Sequence, residues 1–206
     1  MPNREPRLHT VPVATLKPTQ MTVGYREVLE KRRAWRQRAQ DGGGGFLGRH
    51  MIPVLLGPKG RAYVVDHHHL ARALLEEGVE EIATTVVEDL SMLSRDAFWT
   101  FADNRGWCHP YDSAGRRRDF DDIPKTLKAM KDDPYRSLAG ELRRAGGYAK
   151  ETHPFTEFLW ADFLRRQIKP ADIAEDFAAA LSKALKLAKS GKAGYLPGWC
   201  GPAADV

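Results

Sequence analysis

Apolar positions recur along the chain in two periods, and the change from one to the other divides it into two parts. Residues 11–16 alternate apolar and polar side chains before Pro18, the pattern of a short strand running into a turn. Residues 24–40 place Val28, Leu29 and Trp35 among many charges, which predicts an exposed amphipathic helix. Residues 41–45, an Asp followed by four glycines, read as a flexible loop beside that basic helix, with the character of a lid. Residues 51–56 form a buried-type strand, 57–60 a hairpin turn and 61–65 the returning strand. Asp66 then stands where a cap belongs, before a helix over 70–77 whose apolar face is Leu70, Ala71, Leu74 and Leu75. Gly78 suits the residue that ends it, and 82–87 is a further β-branched strand.

Beyond Leu90 the period becomes helical. Residues 94–104 predict a helix with Ser94 as its cap, and short helices follow over 123–131, 134–144 and 155–167. Pro170 suits the first turn of a long helix reaching residue 190, stopped by Gly191, and 194–206 is Gly- and Pro-rich and irregular. The expected fold class is therefore α/β (α+β). A small mixed-sheet domain over residues 1–112 is followed by a helical region over 113–206, with the boundary near 113–118.

Composition narrows this picture only in part. A hydrophobic fraction of 42% in 206 residues supports packed cores rather than wholesale disorder. The longest apolar runs fall short of the roughly 20 residues that span a bilayer, and the N-terminal stretch does not read as a signal peptide. A cytoplasmic protein is expected, with no membrane association. Cys108 and Cys200 are too few for a disulfide framework and too far apart for a metal knuckle. The net charge of +5 favours polyanionic partners, although clusters such as Lys31-Arg32-Arg33 and Arg116-Arg117-Arg118 also suit solvated helix faces.

Three groups of residues could carry chemistry. Asp66-His67-His68-His69 lies between a strand and a helix, where unpaired backbone N–H groups and the helix dipole attract anions, and histidines add donors or move protons. Asp103, Asn104 and Arg105 combine oxygens suited to Mg²⁺ with a bidentate phosphate grip. Glu27, beside Arg26 near a helix start, is a candidate general base. The plain alternative for each is structural: a cap, a helix end with a polar turn, and a surface ion pair.

At the hairpin and histidine segment the chain resembles the ParB/sulfiredoxin superfamily, and within it the ParB-like nuclease branch. Residues 52–87 look like that family's strand, hairpin, Asp-Gly-His-His-Arg signature, helix and strand. Asp66 matches the signature Asp, His67 stands where it has Gly, His68 and His69 match its paired histidines, and Leu70 replaces its Arg. More loosely, residues 11–27 are similar to the superfamily's opening strand and Leu-x-Pro turn, and Asp103-Asn104-Arg105 to its second box. Sulfiredoxins carry a Cys in this signature; this chain has none there, which disfavours sulfinic acid reduction. No recognition helix of the segregation-protein kind is evident.

The resemblance implies phosphoryl-transfer or phosphodiester chemistry, by a nuclease or a nucleotide-dependent kinase, on a nucleotide, a phosphorylated small molecule or nucleic acid. On that reading Asp66, His67, His68, His69, Arg72 and Arg105 hold phosphate, and Asp103 and Asn104 hold Mg²⁺. Glu27, His68 and His69 are then the catalytic candidates. Two alternatives stay open: a non-catalytic nucleic-acid-binding module, and a metal-dependent hydrolase centred on the histidines with His50 or His109 recruited.

Overall fold

The apolar run that begins at residue 52 becomes the middle of a sheet because both of its faces are covered. The computed structural model describes residues 8–40 and 51–202; the glycine loop 41–45 and His50 lie outside the described residues. In chain order the strands of the first part are β1 (Leu8–Pro12), β2 (Lys17–Pro18), β3 (Thr22–Val23), β4 (Ile52–Gly57), β5 (Arg61–Val64) and β6 (Glu81–Asp89). All but β3 join one sheet in the order β1-β6-β4-β5-β2. β1 is antiparallel to β6 and β4 antiparallel to β5, while β4–β6 and β2–β5 are parallel, so the sheet is mixed, as the sequence pattern predicts. Only the start of residues 11–16 is strand. Val13–Thr15 turn as a 3₁₀ helix, in which the Val13 N–H donates to Glu80 O at 2.9 Å.

Strand alternation sends successive side chains to opposite faces. On one face Ile52, Val54, Ala62, Val64 and Ile82 meet Val28 of α1 (Tyr25–Gln40) and Leu70, Ala71 and Leu74 of α2 (His68–Glu76). On the other, Leu55 and Tyr63 pack with Phe98, Trp99 and Ala102 of α3 (Arg95–Asn104), which Ser94 caps by accepting from the Ala97 N–H. The β4–β6 register shifts between Val54 and Leu55, where β6 carries one extra residue, Val87. Gly57 is required by close approach: a Cβ there would lie 2.6 Å from the Tyr63 ring and 2.9 Å from that of Phe98. Gly78 ends α2 at φ 71°, its N–H bonded to Leu75 O.

Residues 123–131 do not form the helix their sequence predicts. Two 3₁₀ turns, Phe120–Asp122 and Leu127–Ala129, flank Pro124, and Leu127 and Met130 are drawn into the core beneath α2. Among the described residues, contacts divide the chain into two units: residues 1–112 with 116–131, and 113–115 with 132–206. The stretch 116–131, which the pattern alone assigns to the helical region, thus packs with the first unit.

The second unit is helical: α4 (Pro134–Arg144), α5 (Thr156–Arg165), α6 (Pro170–Glu175) and α7 (Phe177–Ala188). Its core centres on Trp160, fully buried and stacked on Tyr148 at 4.3 Å. The single long helix expected from residue 170 to 190 is two. Asp176 adopts extended backbone, and its side chain accepts from the Ala179 N–H to begin α7. No helix among the described residues is long and apolar enough to cross a membrane.

Helices α1 and α2 are joined by an ion-pair network in which Arg32 Nε and Arg36 Nε bond the Glu77 carboxylate at 2.5 and 2.7 Å. The hydrogen bond from Arg36, reinforced by Arg32, holds the Glu77 carboxyl below its ordinary pKa. A depressed carboxylate adds stability above its unfolded pKa, near 4.3, and that stability disappears as pH falls through the lower, folded value. Glu77→Gln is therefore expected to lower the melting temperature at pH 7 and to have little effect near pH 2. An equal loss at both pH values, measured by thermal melts, would show that this carboxylate does not link α1 to α2 electrostatically.

Candidate functional site

Helix α2 begins without a side-chain cap. Asp66 does not cap it; its Oδ1 accepts from the adjacent His67 N–H at 2.6 Å, and its side chain is exposed. The N-cap position belongs to His67, held in the left-handed region at φ 65°, and the first intrahelical bond runs from the Ala71 N–H to His67 O. A left-handed residue costs roughly 1 kcal/mol when it is not glycine. That explains why the family signature has glycine where this chain has His67. The half-exposed His67 imidazole lies beside the start of α2, whose next residue, His68, is buried.

His68 and His69 have roles that spacing could not reveal. His68 is buried, and its Nε2 accepts the Thr19 backbone N–H at 3.2 Å. The Thr19 hydroxyl lies 3.4 Å from the same nitrogen and donates to Val64 O at 2.7 Å. His69 Nε2 accepts the Gly24 N–H at 2.9 Å. A ring nitrogen that accepts a backbone N–H carries no proton, so both imidazoles are assigned as neutral Nδ1–H tautomers. On His69 that proton faces Glu27 Oε2 at 3.8 Å. Glu27 lies in the first turn of α1 and is almost wholly buried, and its Oε2 has no hydrogen bond among the described residues. The structure therefore gathers Glu27, His68 and His69 with the first turn of α2. Glu27 and His69 form a carboxylate–imidazole pair, the arrangement used to accept and relay a proton.

The other candidates are committed elsewhere. Arg72 is buried and reaches residues 127–130, where its NH1 donates to Leu127 O, Lys128 O and Met130 O at 2.8–3.2 Å and its Nε to Glu76. It anchors that loop rather than a phosphate. Arg105 lies at the end of α3 with its guanidinium 4.9 Å from the Trp107 ring centroid. Asp103 is ion-paired with Arg117 through one oxygen and accepts from the Cys108 thiol at 3.7 Å through the other, while the Asn104 amide donates to Thr100 O. A carboxylate neutralised in this way does not fit the Mg²⁺ site that its residue type suggests. Burial, aided by Asp103, pushes the Cys108 thiol up to about 12, so it is no nucleophile. His109 donates its backbone N–H to Thr19 O at 2.9 Å and stacks on Tyr111 at 4.4 Å. With the Nε2 atoms of His68 and His69 accepting backbone hydrogens, a metal centred on those nitrogens would have to break both bonds.

The backbone amides of Thr19 and Gly24 are the site members that sequence reasoning missed. Their only signal was the Leu-x-Pro turn leading into them. The tautomer assignment has a direct check. Side-chain ¹⁵N resonances of His68 and His69 at pH 7.5 are expected to show protonated Nδ1 and bare Nε2. Protonated Nε2 on either ring would mean that its backbone bond is not made.

The family model described as "Putative ParB-like nuclease" matches residues 9–166. A crystal structure of protein Atu1540 from Agrobacterium tumefaciens is 52% identical and superposes with a TM-score of 0.90, covering 96% of this chain and 98% of that one. No curated protein matches significantly. The uncapped turn, the paired histidines and the mixed sheet that holds them are thus those of a family member: the chain belongs to the ParB-like nuclease family.

Proposed function

We propose that the protein binds the phosphate of a nucleotide or nucleic-acid substrate against the first turn of α2 and acts on it by phosphodiester or phosphoryl-transfer chemistry. The observation that carries this reading is the uncapped start of α2 at left-handed His67, next to the Glu27–His69 pair. A helix start presents backbone N–H groups and the positive end of the dipole, which together favour an anion without any charged side chain. His67 is the titratable donor beside that anion. His68 holds the turn in shape from below, and Glu27, with His69 against it, is the base that takes a proton from the attacking water or hydroxyl. Phosphoryl transfer depends mainly on positioning and charge stabilisation, and a rigid helix start supplies both. Family membership and the net charge of +5 support a polyanionic substrate.

Two variants separate the roles. His67→Glu places a carboxylate at the anion position on an exposed residue, where it favours the helix dipole but repels phosphate. Its affinity for ATP, CTP and a short single-stranded DNA, measured by calorimetry, is expected to fall at least about tenfold with no loss in melting temperature. Glu27→Gln is expected to retain binding and to lower turnover of the oligonucleotide or nucleotide, with Mg²⁺ supplied, by about a hundredfold or more. Unchanged affinity in His67→Glu removes the anion site, and undiminished turnover in Glu27→Gln removes the base.

A further inference from the structure

We propose that the first unit carries a second ligand site, for a nucleoside monophosphate moiety, in the cavity bounded by β2, β5, α3 and residues 120–125. The cavity holds about 480 Å³, within the span of small-molecule sites, and shares no lining residue with the start of α2 or with Glu27. Its chemistry is divided in two. Four cations line it, Lys17, Arg61, Arg95 and Lys125, and no carboxylate does. Apart from Thr15 the rest of the lining is aromatic or apolar, and it includes Tyr63, Trp99 and Phe120.

The fold builds this arrangement deliberately from the edge of the sheet. Arg61 and Tyr63 are two apart on β5 and so share a face, and Lys17 of the parallel edge strand β2 stands in register with Tyr63. Lys17 Nζ donates to Lys125 O at 2.9 Å, which ties β2 to residues 120–125. Trp99 stacks on Phe120 at 5.9 Å and meets Tyr63 edge-on at 5.5 Å, giving a fixed ring cluster. Arg95 pairs with Asp121, which is not among the lining residues. The remaining cations match a ligand of more than one negative charge, such as a phosphate monoester at about −1.5 to −2 near pH 7, better than a single carboxylate. Flat apolar walls beside a cationic rim suit a base joined to such a phosphate. The moiety could be supplied as a free nucleotide or as one residue of a single strand, and the chemistry is the same for both.

The test is calorimetric titration of the full chain with AMP, CMP, a ten-nucleotide single-stranded DNA and inorganic phosphate. It compares wild type, the pair Arg61→Ala/Lys125→Ala, and His67→Glu. Both residues of the pair are exposed, so melting should be unaffected; if the pair unfolds, Lys125→Gln alone serves. Monophosphate affinity is expected to fall at least about tenfold in the pair and to stay within about twofold in His67→Glu. If the strand binds and the free monophosphates do not, with the same loss in the pair, the moiety comes from nucleic acid. Three results overturn the proposal: undiminished affinity in the pair, inorganic phosphate bound as tightly as the monophosphates, or no binding of any probe. The first of these, when accompanied by a loss in His67→Glu, leaves the anion site at α2 standing.

Discussion

Two imidazoles accepting backbone N–H groups set the geometry on which the rest of the first unit depends. Residues 19–24 connect the edge strand β2 to helix α1, and their two ends are fastened to adjacent residues of α2, Thr19 to His68 and Gly24 to His69. A buried amide without an acceptor costs about 1–3 kcal/mol, so each histidine removes a penalty that no water could relieve at a buried position. The bonds also fix which ring nitrogen carries the proton. As a result Glu27, one helical turn beyond Gly24, meets the protonated nitrogen of His69. The paired histidines act first as acceptors that shape the site, and in the function we propose the anion is left to the backbone of the helix start and to His67.

A second anchor of the same kind explains the boundary between the units. Arg72, one turn further along α2 than His68, donates to three carbonyls of residues 127–130. In a helix over 123–131 the Leu127 carbonyl would be bonded within the helix, and those of Lys128 and Met130 would fall in its unpaired last turn. A guanidinium offers five donors in a fixed fork, and here it adds long-range hydrogen bonds to the local one that Leu127 O accepts from the Met130 N–H. The loop is thereby held to the first unit, where Phe120 and Lys125 complete the wall of the cationic–aromatic cavity.

Much of the fold was legible because its signals are local. The run from β4 through the Pro58–Gly60 turn to β5, α2, Gly78 and β6 lies within one or two residues of where alternation and turn residues place it. The misreadings share a cause. Asp66 has the right residue type for a cap, yet the left-handed backbone of His67 is a tertiary outcome that composition does not encode. Residues 123–131 have helical periodicity, and Arg72, some fifty residues away in sequence, overrides it. Asp176 lies inside a helical pattern, and its carboxylate competes for a backbone N–H to start a new helix. At the site, sequence named Glu27, His68 and His69, which the fold does bring together. It could not tell donors from acceptors, because the partners are backbone amides of residues 19 and 24. Residue type alone also offered Asp103 for a metal, when Arg117 neutralises it.

In the function we propose, the backbone of one turn holds the anion, side chains position that turn, and the Glu27 carboxylate takes a proton. The most direct measurement is a ¹H–¹⁵N NMR titration of the assigned amides with ATP or CTP. The account predicts that the N–H resonances of His68, His69 and Leu70 shift most, moving downfield as they donate to phosphate oxygen, while those of Thr19 and Gly24 stay close to their free positions. Stationary resonances at the start of α2 under saturating nucleotide, with shifts confined to other surfaces, would contradict it.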